Sequence, residues 1–149
     1  MKSCDWRAVK LSTRDASEKI RIFLVDDQAL VRRGLKMRLG VEPDFEVVGE
    51  AENGRILDQV EALSPDVVLM DVSMPEMDGI QATAALTASS SCAAVVMLSL
   101  YDDARVVGKA FAAGAVGFVA KDDPEGELAA AIRRAAQGVR KSTSQREIL

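Results

Sequence analysis

Residues 67–71 read Val-Val-Leu-Met-Asp, a run of four apolar residues that ends in a carboxylate. A short run that is apolar at every position is typical of a strand covered on both faces of a parallel sheet. Similar runs recur at three other places, each directly before a polar residue. They are residues 20–25 before Asp26 and Asp27, residues 93–98 before Ser99, and residues 116–120 before Lys121. Four predicted strands therefore end in residues that can take part in chemistry.

The segments between these runs have helical spacing or strand-like alternation. Apolar residues recur at Leu30, Val31, Leu35 and Leu39 and stop at Gly40, and residues 45–51 alternate like a strand. Asn53 is expected to cap a helix that carries Ile56, Leu57, Val60 and Leu63. Further helices are predicted over residues 79–88 and 103–113, and from Pro124 to Gly138. Five strands alternating with five helices predict a parallel sheet covered on both faces, with every strand's carboxyl end at one edge.

Composition and charge narrow the function classes. The chain has 149 residues, of which 48% are hydrophobic and 28% charged, an ordinary globular balance. The net charge is −4, and because residues 1–19 and 139–149 each carry +2, the segment between them carries −8. So acidic a segment disfavours nucleic-acid binding by itself but could hold a cation. The absence of histidine excludes histidine triads, histidine zinc sites and a phosphohistidine on this chain.

The ends of the sequence suggest no export and no membrane span. Residues 1–19 are polar and are expected to form a flexible extension without a signal peptide. The apolar runs are far shorter than the ~20 residues that cross a membrane. Cys4 and Cys92 make no framework, so the expectation is a cytoplasmic chain with two free thiols.

The polar residues at the strand ends form a plausible reaction site. In an open α/β sheet the functional crevice lies outside the carboxyl ends of the strands. Three carboxylates there would repel one another without a cation, and hard oxygen ligands suit magnesium, Mg²⁺. A carboxylate beside Mg²⁺ and Lys121 is also a possible nucleophile toward phosphorus. Taken singly, such an acid is usually a turn former, such a serine a helix cap and such a lysine a solvated group. The occurrence of all these residue types at successive strand ends favours a shared reaction site over these separate structural roles.

The motifs at these strand ends resemble the receiver domain of two-component response regulators. The segments concerned are Val25-Asp26-Asp27, residues 71–79 (Asp-Val-Ser-Met-Pro-Glu-Met-Asp-Gly), Leu98-Ser99 and residues 117–121. The resemblance covers about residues 20–138 and is nearest to the NarL/FixJ subfamily, which joins a receiver to a LuxR-type helix-turn-helix. It implies a flavodoxin-like, doubly wound (βα)5 three-layer sandwich with a parallel five-stranded sheet of order 2-1-3-4-5. Residues 139–149 would then be a tail or the start of a linker to a missing effector domain.

The resemblance also implies a role for each site residue. Asp71 would be the phosphoacceptor, and Asp26, Asp27, Asp71 and the backbone carbonyl of Ser73 would hold Mg²⁺. Ser99 would bond a phosphoryl oxygen and Lys121 would pair with it. Phe118 would be the aromatic switch that reports phosphorylation together with Ser99.

The same resemblance implies partners and an output. A sensor histidine kinase would supply the phosphoryl group, phosphorylation would promote a homodimer, and no membrane would be involved. DNA would be reached only through an effector domain absent from this sequence. The chain would be no enzyme beyond catalysing its own phosphorylation and dephosphorylation, and transcription regulation is the expected output.

Three residues depart from the common pattern of the family. Ser99 stands where many receivers have threonine, Phe118 lacks a phenolic oxygen, and Asp122 rather than proline follows Lys121. The first keeps the hydroxyl but loses the methyl that stiffens χ1. None of the three removes a chemical group that the expected reaction needs.

Competing functions are weaker on the residues present. A phosphatase of the haloacid-dehalogenase type would carry the motif Asp-x-Asp after its first strand. In this chain Gln28 stands where the second acid of that motif would be. A flavin carrier on the same strand order needs a phosphate-cradling loop, which Asp26 and Asp27 would repel. A phosphorylation-independent adaptor remains the alternative.

Two further features carry structural interpretations. Gly79 is expected to supply a special backbone angle before a helix that Asp78 caps, and Met74 and Met77 to fill gaps. Arg32 and Arg33 form a basic pair on the first helix, expected as a solvated face or a contact for a kinase or phosphate-bearing partner.

Overall fold

The computed structural model describes residues 18–72, 78–100, 103–121 and 125–148, and gives side-chain surroundings up to residue 138. Strands and helices alternate along these residues. They are β1 (Ile20–Val25), α1 (Ala29–Gly40), β2 (Phe45–Ala51), α2 (Leu57–Leu63), β3 (Val67–Asp71), α3 (Gly79–Ala88), β4 (Ala94–Ser99), α4 (Ala104–Ala113), β5 (Gly117–Ala120) and α5 (Glu125–Ile148).

The five strands form one parallel sheet in the order β2-β1-β3-β4-β5. The predicted doubly wound sandwich and its strand order are therefore confirmed. Parallel strands have to be joined by crossovers, and the helices that make them cover both faces of the sheet. The central strand β3 is buried at all five positions, as its uninterrupted apolar run predicts.

The core lies in two layers, one on each face of the sheet, because successive strand residues point to opposite faces. Ile22 and Leu24 pack with α1 and α5, whereas Phe23 and Val25 pack with α2, α3 and α4. All four side chains are at most 2% exposed. At roughly 25 cal/mol per Å² of buried apolar surface, these layers are the main stabilising contribution to the fold.

Some local predictions are wrong at the ends of helices. Leu30 is 81% exposed, so the apolar face of α1 begins one residue later than its pattern suggested. Asn53 caps no helix: its Oδ1 accepts a hydrogen bond from the Arg55 amide at 2.9 Å, and α2 begins at Leu57. Gly138 does not close the last helix either, because α5 continues to Ile148.

Cys92 lies in the loop before β4, where a free thiol was expected. That expectation is wrong in this structure, since Cys92 is disulfide-bonded. Cys4 lies outside the described residues, as does most of the expected N-terminal extension. No helix among the described residues has the length and apolar character needed to cross a membrane.

Candidate functional site

The strand register brings two of the predicted acids together. Val25 is paired with Met70, so the next residues, Asp26 and Asp71, leave adjacent strands at the same level. Both are buried, with 1% and 5% of their surfaces exposed, whereas Asp27 is exposed. One carboxylate oxygen from each of the three residues lies within 4.8 Å of the other two.

Lys121, the residue that follows the edge strand β5, joins this group. Its amide donates to the Ser99 carbonyl at 2.7 Å, which continues the β4–β5 ladder to the strand end. Its ammonium Nζ lies 2.9 Å from Asp26 Oδ2 and 3.3 Å from Asp71 Oδ1. The side chain is 16% exposed, so it is largely withdrawn from water.

The charge of Lys121 is stabilised in place. Burial by itself lowers the pKa of the ammonium, but the hydrogen bond to Asp26 and the attraction of both carboxylates outweigh it, and the pKa lies above its usual value. The lysine therefore stays protonated at neutral pH. Against its single positive charge stand three carboxylates, and this local excess of negative charge favours an additional cation.

The donor set fits magnesium. Hard carboxylate oxygens at about 2.1 Å suit Mg²⁺, so two oxygens on opposite sides of one ion are about 4.2 Å apart. The three carboxylates already converge to nearly that span. Asp27 and Asp71 could ligate directly, whereas Asp26 has both oxygens engaged, Oδ1 by the Gln28 amide at 2.9 Å and Oδ2 by Lys121.

Ser99 and Phe118 lie on the strands beside this group. Ser99 ends β4 and is 7% exposed, with Ala120 as its partner across the ladder. Phe118 is partly buried and packs against the core layer that contains Met70 and Met97. Ser73, expected to supply a backbone carbonyl, lies outside the described residues together with Met74 and Met77.

Gly79 packs against the backbone of Asp71, a contact that the sequence did not indicate. Its φ is not in the left-handed region, so the predicted special backbone angle is wrong. A Cβ at this position would instead lie 2.0 Å from the Asp71 carbonyl oxygen. The predicted cap is confirmed: Asp78 Oδ1 accepts from the Gln81 amide at 2.8 Å, and Gln81 Oε1 accepts from the Asp78 amide at 3.2 Å.

Arg32 is the second residue whose contact with the site was missed. Its Nη1 donates to the Asp26 carbonyl at 2.5 Å, and its Nε to Glu50 Oε1 at 2.8 Å. The arginine follows Asp26 by six residues and is the fourth residue of α1, at the end of its first turn. That spacing could have indicated a contact with the strand end, whereas its neighbour Arg33 is exposed as expected.

Comparison with known proteins bears on the same stretch of chain. The family model described as "Response regulator receiver domain" matches residues 22–133. The transcriptional regulatory protein DegU of Brevibacillus brevis is 39% identical over 121 residues, which cover 80% of this chain and 51% of DegU. LiaR of Bacillus subtilis is 41% identical over 128 residues, covering 85% of this chain and 60% of LiaR. The chain thus spans about half the length of the curated relatives it matches.

A solved structure agrees in both sequence and shape. The signal receiver domain of the putative response regulator NarL from Mycobacterium tuberculosis superposes with a TM-score of 0.77 at 37% identity, covering 81% of this chain and 98% of that domain. The resemblance to NarL/LuxR-type regulators is thereby confirmed. With the match spanning most of its length, the chain belongs to the response regulator receiver domain family.

Proposed function

We propose that this chain is a phosphorylation-activated receiver in which Asp71 accepts a phosphoryl group from a sensor histidine kinase in the presence of Mg²⁺. The observation that carries the proposal is the position of Lys121, whose ammonium contacts both Asp26 and Asp71 at the carboxyl ends of neighbouring strands. A nucleophilic carboxylate, a cationic partner and a further acid open to solvent are the groups that phosphoryl transfer to aspartate needs.

The proposed reaction forms one bond and breaks one. An oxygen of the Asp71 carboxylate bonds to phosphorus while the bond from phosphorus to the kinase's histidine nitrogen breaks, and that nitrogen keeps the electron pair. Lys121 lies 3.3 Å from Asp71 Oδ1, close enough to neutralise charge on the transferred oxygens. When bound, Mg²⁺ supplies positive charge that offsets the repulsion between Asp71 and the phosphoryl group.

We assign the metal ligands as Asp27, Asp71 and the Ser73 carbonyl, with Asp26 acting through water. Both oxygens of Asp26 already accept hydrogen bonds, and Mg²⁺ ordinarily keeps several of its waters. The exposed position of Asp27 supports its role as a direct ligand.

The remaining assignments follow from the same proposal. Ser99 would hydrogen-bond a phosphoryl oxygen, and Phe118 would turn inward when Ser99 moves. Residues 20–138 would be the receiver, preceded by a flexible extension over residues 1–19 and followed by a tail or linker over residues 139–149. The output would be transcriptional, through an effector domain such as those of the relatives. Dimerisation on phosphorylation and a cytoplasmic location stay predictions.

Incubation with acetyl phosphate and MgCl₂ tests the proposal. Intact-mass spectrometry should show one added phosphoryl group on the wild-type chain, labile to hydroxylamine as an acyl phosphate is. Asp71→Asn should abolish the addition. Asp58→Asn, which removes an exposed acid in the first turn of α2, serves as the matched control and should label like wild type. Equal labelling of Asp71→Asn would refute the assignment to Asp71, and no labelling of either protein would favour the phosphorylation-independent adaptor.

A further inference from the structure

Arg32 connects the backbone of the acidic site to the neighbouring strand. Its guanidinium bridges the Asp26 carbonyl at 2.5 Å and the Glu50 carboxylate at 2.8 Å. Glu50 lies on β2, and Lys36, one turn further along α1, holds its other oxygen at 2.5 Å. The Arg32 side chain is 15% exposed, in contrast to the solvated face expected for a basic pair on a helix.

The carbonyl that Arg32 contacts lies where the sheet ladder ends. The Asp26 amide donates to the carbonyl of Ala51, the last residue of β2, at 3.1 Å. In a continuing parallel ladder the Asp26 carbonyl would accept from residue 53. There the chain has already left the strand, and the Asn53 side chain closes a local turn by accepting from the Arg55 amide. Arg32 provides the donor that β2 no longer supplies.

Holding this carbonyl affects the next residue directly. The Asp26 carbonyl and the Asp27 amide belong to one planar peptide unit, so fixing the carbonyl fixes the direction in which Asp27 leaves the strand. The Asp26 side chain is held independently by Gln28 and Lys121. The Asp27 side chain makes no hydrogen bond or ion pair with the described part of the chain. The direction of its carboxylate therefore depends on the conformation of its backbone.

We propose that Arg32 is a positioning residue of the phosphorylation site, which clamps the Asp26–Asp27 peptide to Glu50 and so aims the Asp27 carboxylate at the metal position. This inference rests on the proposed Mg²⁺ site. It assigns to Arg32 a role in metal binding that its positive charge would oppose, since a guanidinium near a cation site weakens binding by repulsion. Positioning and charge thus predict opposite signs when Arg32 is removed.

Titration of the metal-free protein with MgCl₂ distinguishes the positioning effect from the charge effect. Binding is monitored by two-dimensional NMR of the Gln28 amide or by calorimetry. Outer-shell contacts of this kind are typically worth 10–100-fold in metal affinity. Arg32→Gln should therefore weaken Mg²⁺ binding by about tenfold. Arg32→Lys should bind Mg²⁺ nearly as weakly as Arg32→Gln. Its ammonium keeps the positive charge but lacks the planar guanidinium that reaches both acceptors. Arg33→Gln removes the same charge from the adjacent exposed residue and should bind like wild type.

A second readout separates positioning from damage to the fold. At saturating MgCl₂ the rate of labelling by acetyl phosphate should return close to the wild-type value in Arg32→Gln, because Asp71 and Lys121 are untouched. If Arg32→Gln does not fold, Arg32→Lys carries the test alone: it keeps the positive charge, so charge predicts no change in Mg²⁺ affinity, whereas positioning predicts weaker binding.

The outcomes are distinct from those of the proposed function. If wild type binds no Mg²⁺ or Asp71 takes no phosphoryl group, the proposed function fails and this inference with it. If wild type does both but Arg32→Gln binds Mg²⁺ equally or more tightly, or Arg32→Lys binds like wild type, Arg32 acts through charge or not at all and the positioning role is refuted. A labelling rate that stays low at saturating MgCl₂ would refute it equally.

Discussion

Replacing Gly79 by alanine should damage both the fold and the site, although the same change normally strengthens a helix. An added Cβ would lie 2.0 Å from the Asp71 carbonyl oxygen and 2.9 Å from its carbonyl carbon, where ordinary contacts are 3.4–4 Å. Both atoms belong to the backbone of β3, which is paired with β1 and β4 on its two sides. Backbone atoms cannot relieve the overlap by changing rotamer, as a side chain could. The Gly79 amide also donates to the Val72 carbonyl at 2.8 Å, which fixes the start of α3.

The magnitude follows from two opposing contributions to the free energy of unfolding. Alanine gains up to about 1 kcal/mol over glycine in a helix interior, and this is an upper limit at Gly79, the first residue of α3. Overpacking of a core costs about 1–3 kcal/mol, and a clash with immobile backbone belongs at the upper end. We expect a net loss of about 2 kcal/mol, which for a chain of this size lowers the midpoint of thermal unfolding by about 8 °C. A shift of the Asp71 peptide away from Lys121 should also slow labelling by acetyl phosphate.

Urea unfolding gives the free energy, and the control is Gly108→Ala. Gly108 lies within α4, and a Cβ there would meet nothing within 4 Å. That variant should be more stable than wild type by about 0.5–1 kcal/mol, because only the helix preference acts. If Gly79→Ala proved as stable as Gly108→Ala, the close contact with Asp71 would not exist in solution and the reasoning would be wrong.

Two further substitutions test the charges. Lys121→Met leaves the buried carboxylates of Asp26 and Asp71 without their cation, so the metal-free protein should lose about 3 kcal/mol. MgCl₂ should raise the melting temperature of this variant more than that of wild type, and equal stability without Mg²⁺ would contradict the pairing. Arg133 on α5 donates to Asp44 at 2.9 Å, and that hydrogen bond lowers the pKa of the Asp44 carboxyl from 3.8. A lowered pKa stabilises the fold above that value and ceases to do so as the pH falls through the folded pKa. Because both side chains are about two-fifths exposed and water screens the pair, Arg133→Gln should cost about 0.5 kcal/mol in urea unfolding at pH 7 and less at pH 3. A difference independent of pH would exclude the ion pair as its cause.

The sheet and the meeting of its polar strand ends could be predicted from the sequence because topology leaves little freedom. A run such as Val67–Asp71, apolar on both faces, needs cover on both sides, and right-handed crossovers then align all carboxyl ends. Once Asp26, Asp71 and Lys121 each follow such a run, their proximity results from the register of the strands. No knowledge of side-chain packing is needed for that step.

The features that could not be predicted from the sequence are contacts between one residue and a backbone group of another. A glycine serves either a backbone angle or a close approach, and the sequence around Gly79 does not distinguish them. Asn53 has an oxygen that can cap a helix or close a turn; the turn forms, and Ile56 enters the core at 1% exposure just before α2. The contact between Arg32 and Asp26 is not specified by residue type, because its acceptor is a backbone carbonyl, which every residue carries.

The two adjacent acids that follow β1, Asp26 and Asp27, have different expected roles because of their burial rather than their residue type. Asp26 is 1% exposed and accepts hydrogen bonds from Gln28 and Lys121, so its carboxylate is held in one orientation before any cation binds. Asp27 is exposed, so the proposed Mg²⁺ would reach this carboxylate first from solvent. Asp27 lies in a bend after β1 has ended, where the chain leaves the covered sheet, so the same chemical group occupies two different environments one residue apart. The buried acid keeps Lys121 beside Asp71, and the exposed acid is the one that the proposed Mg²⁺ would contact from solvent.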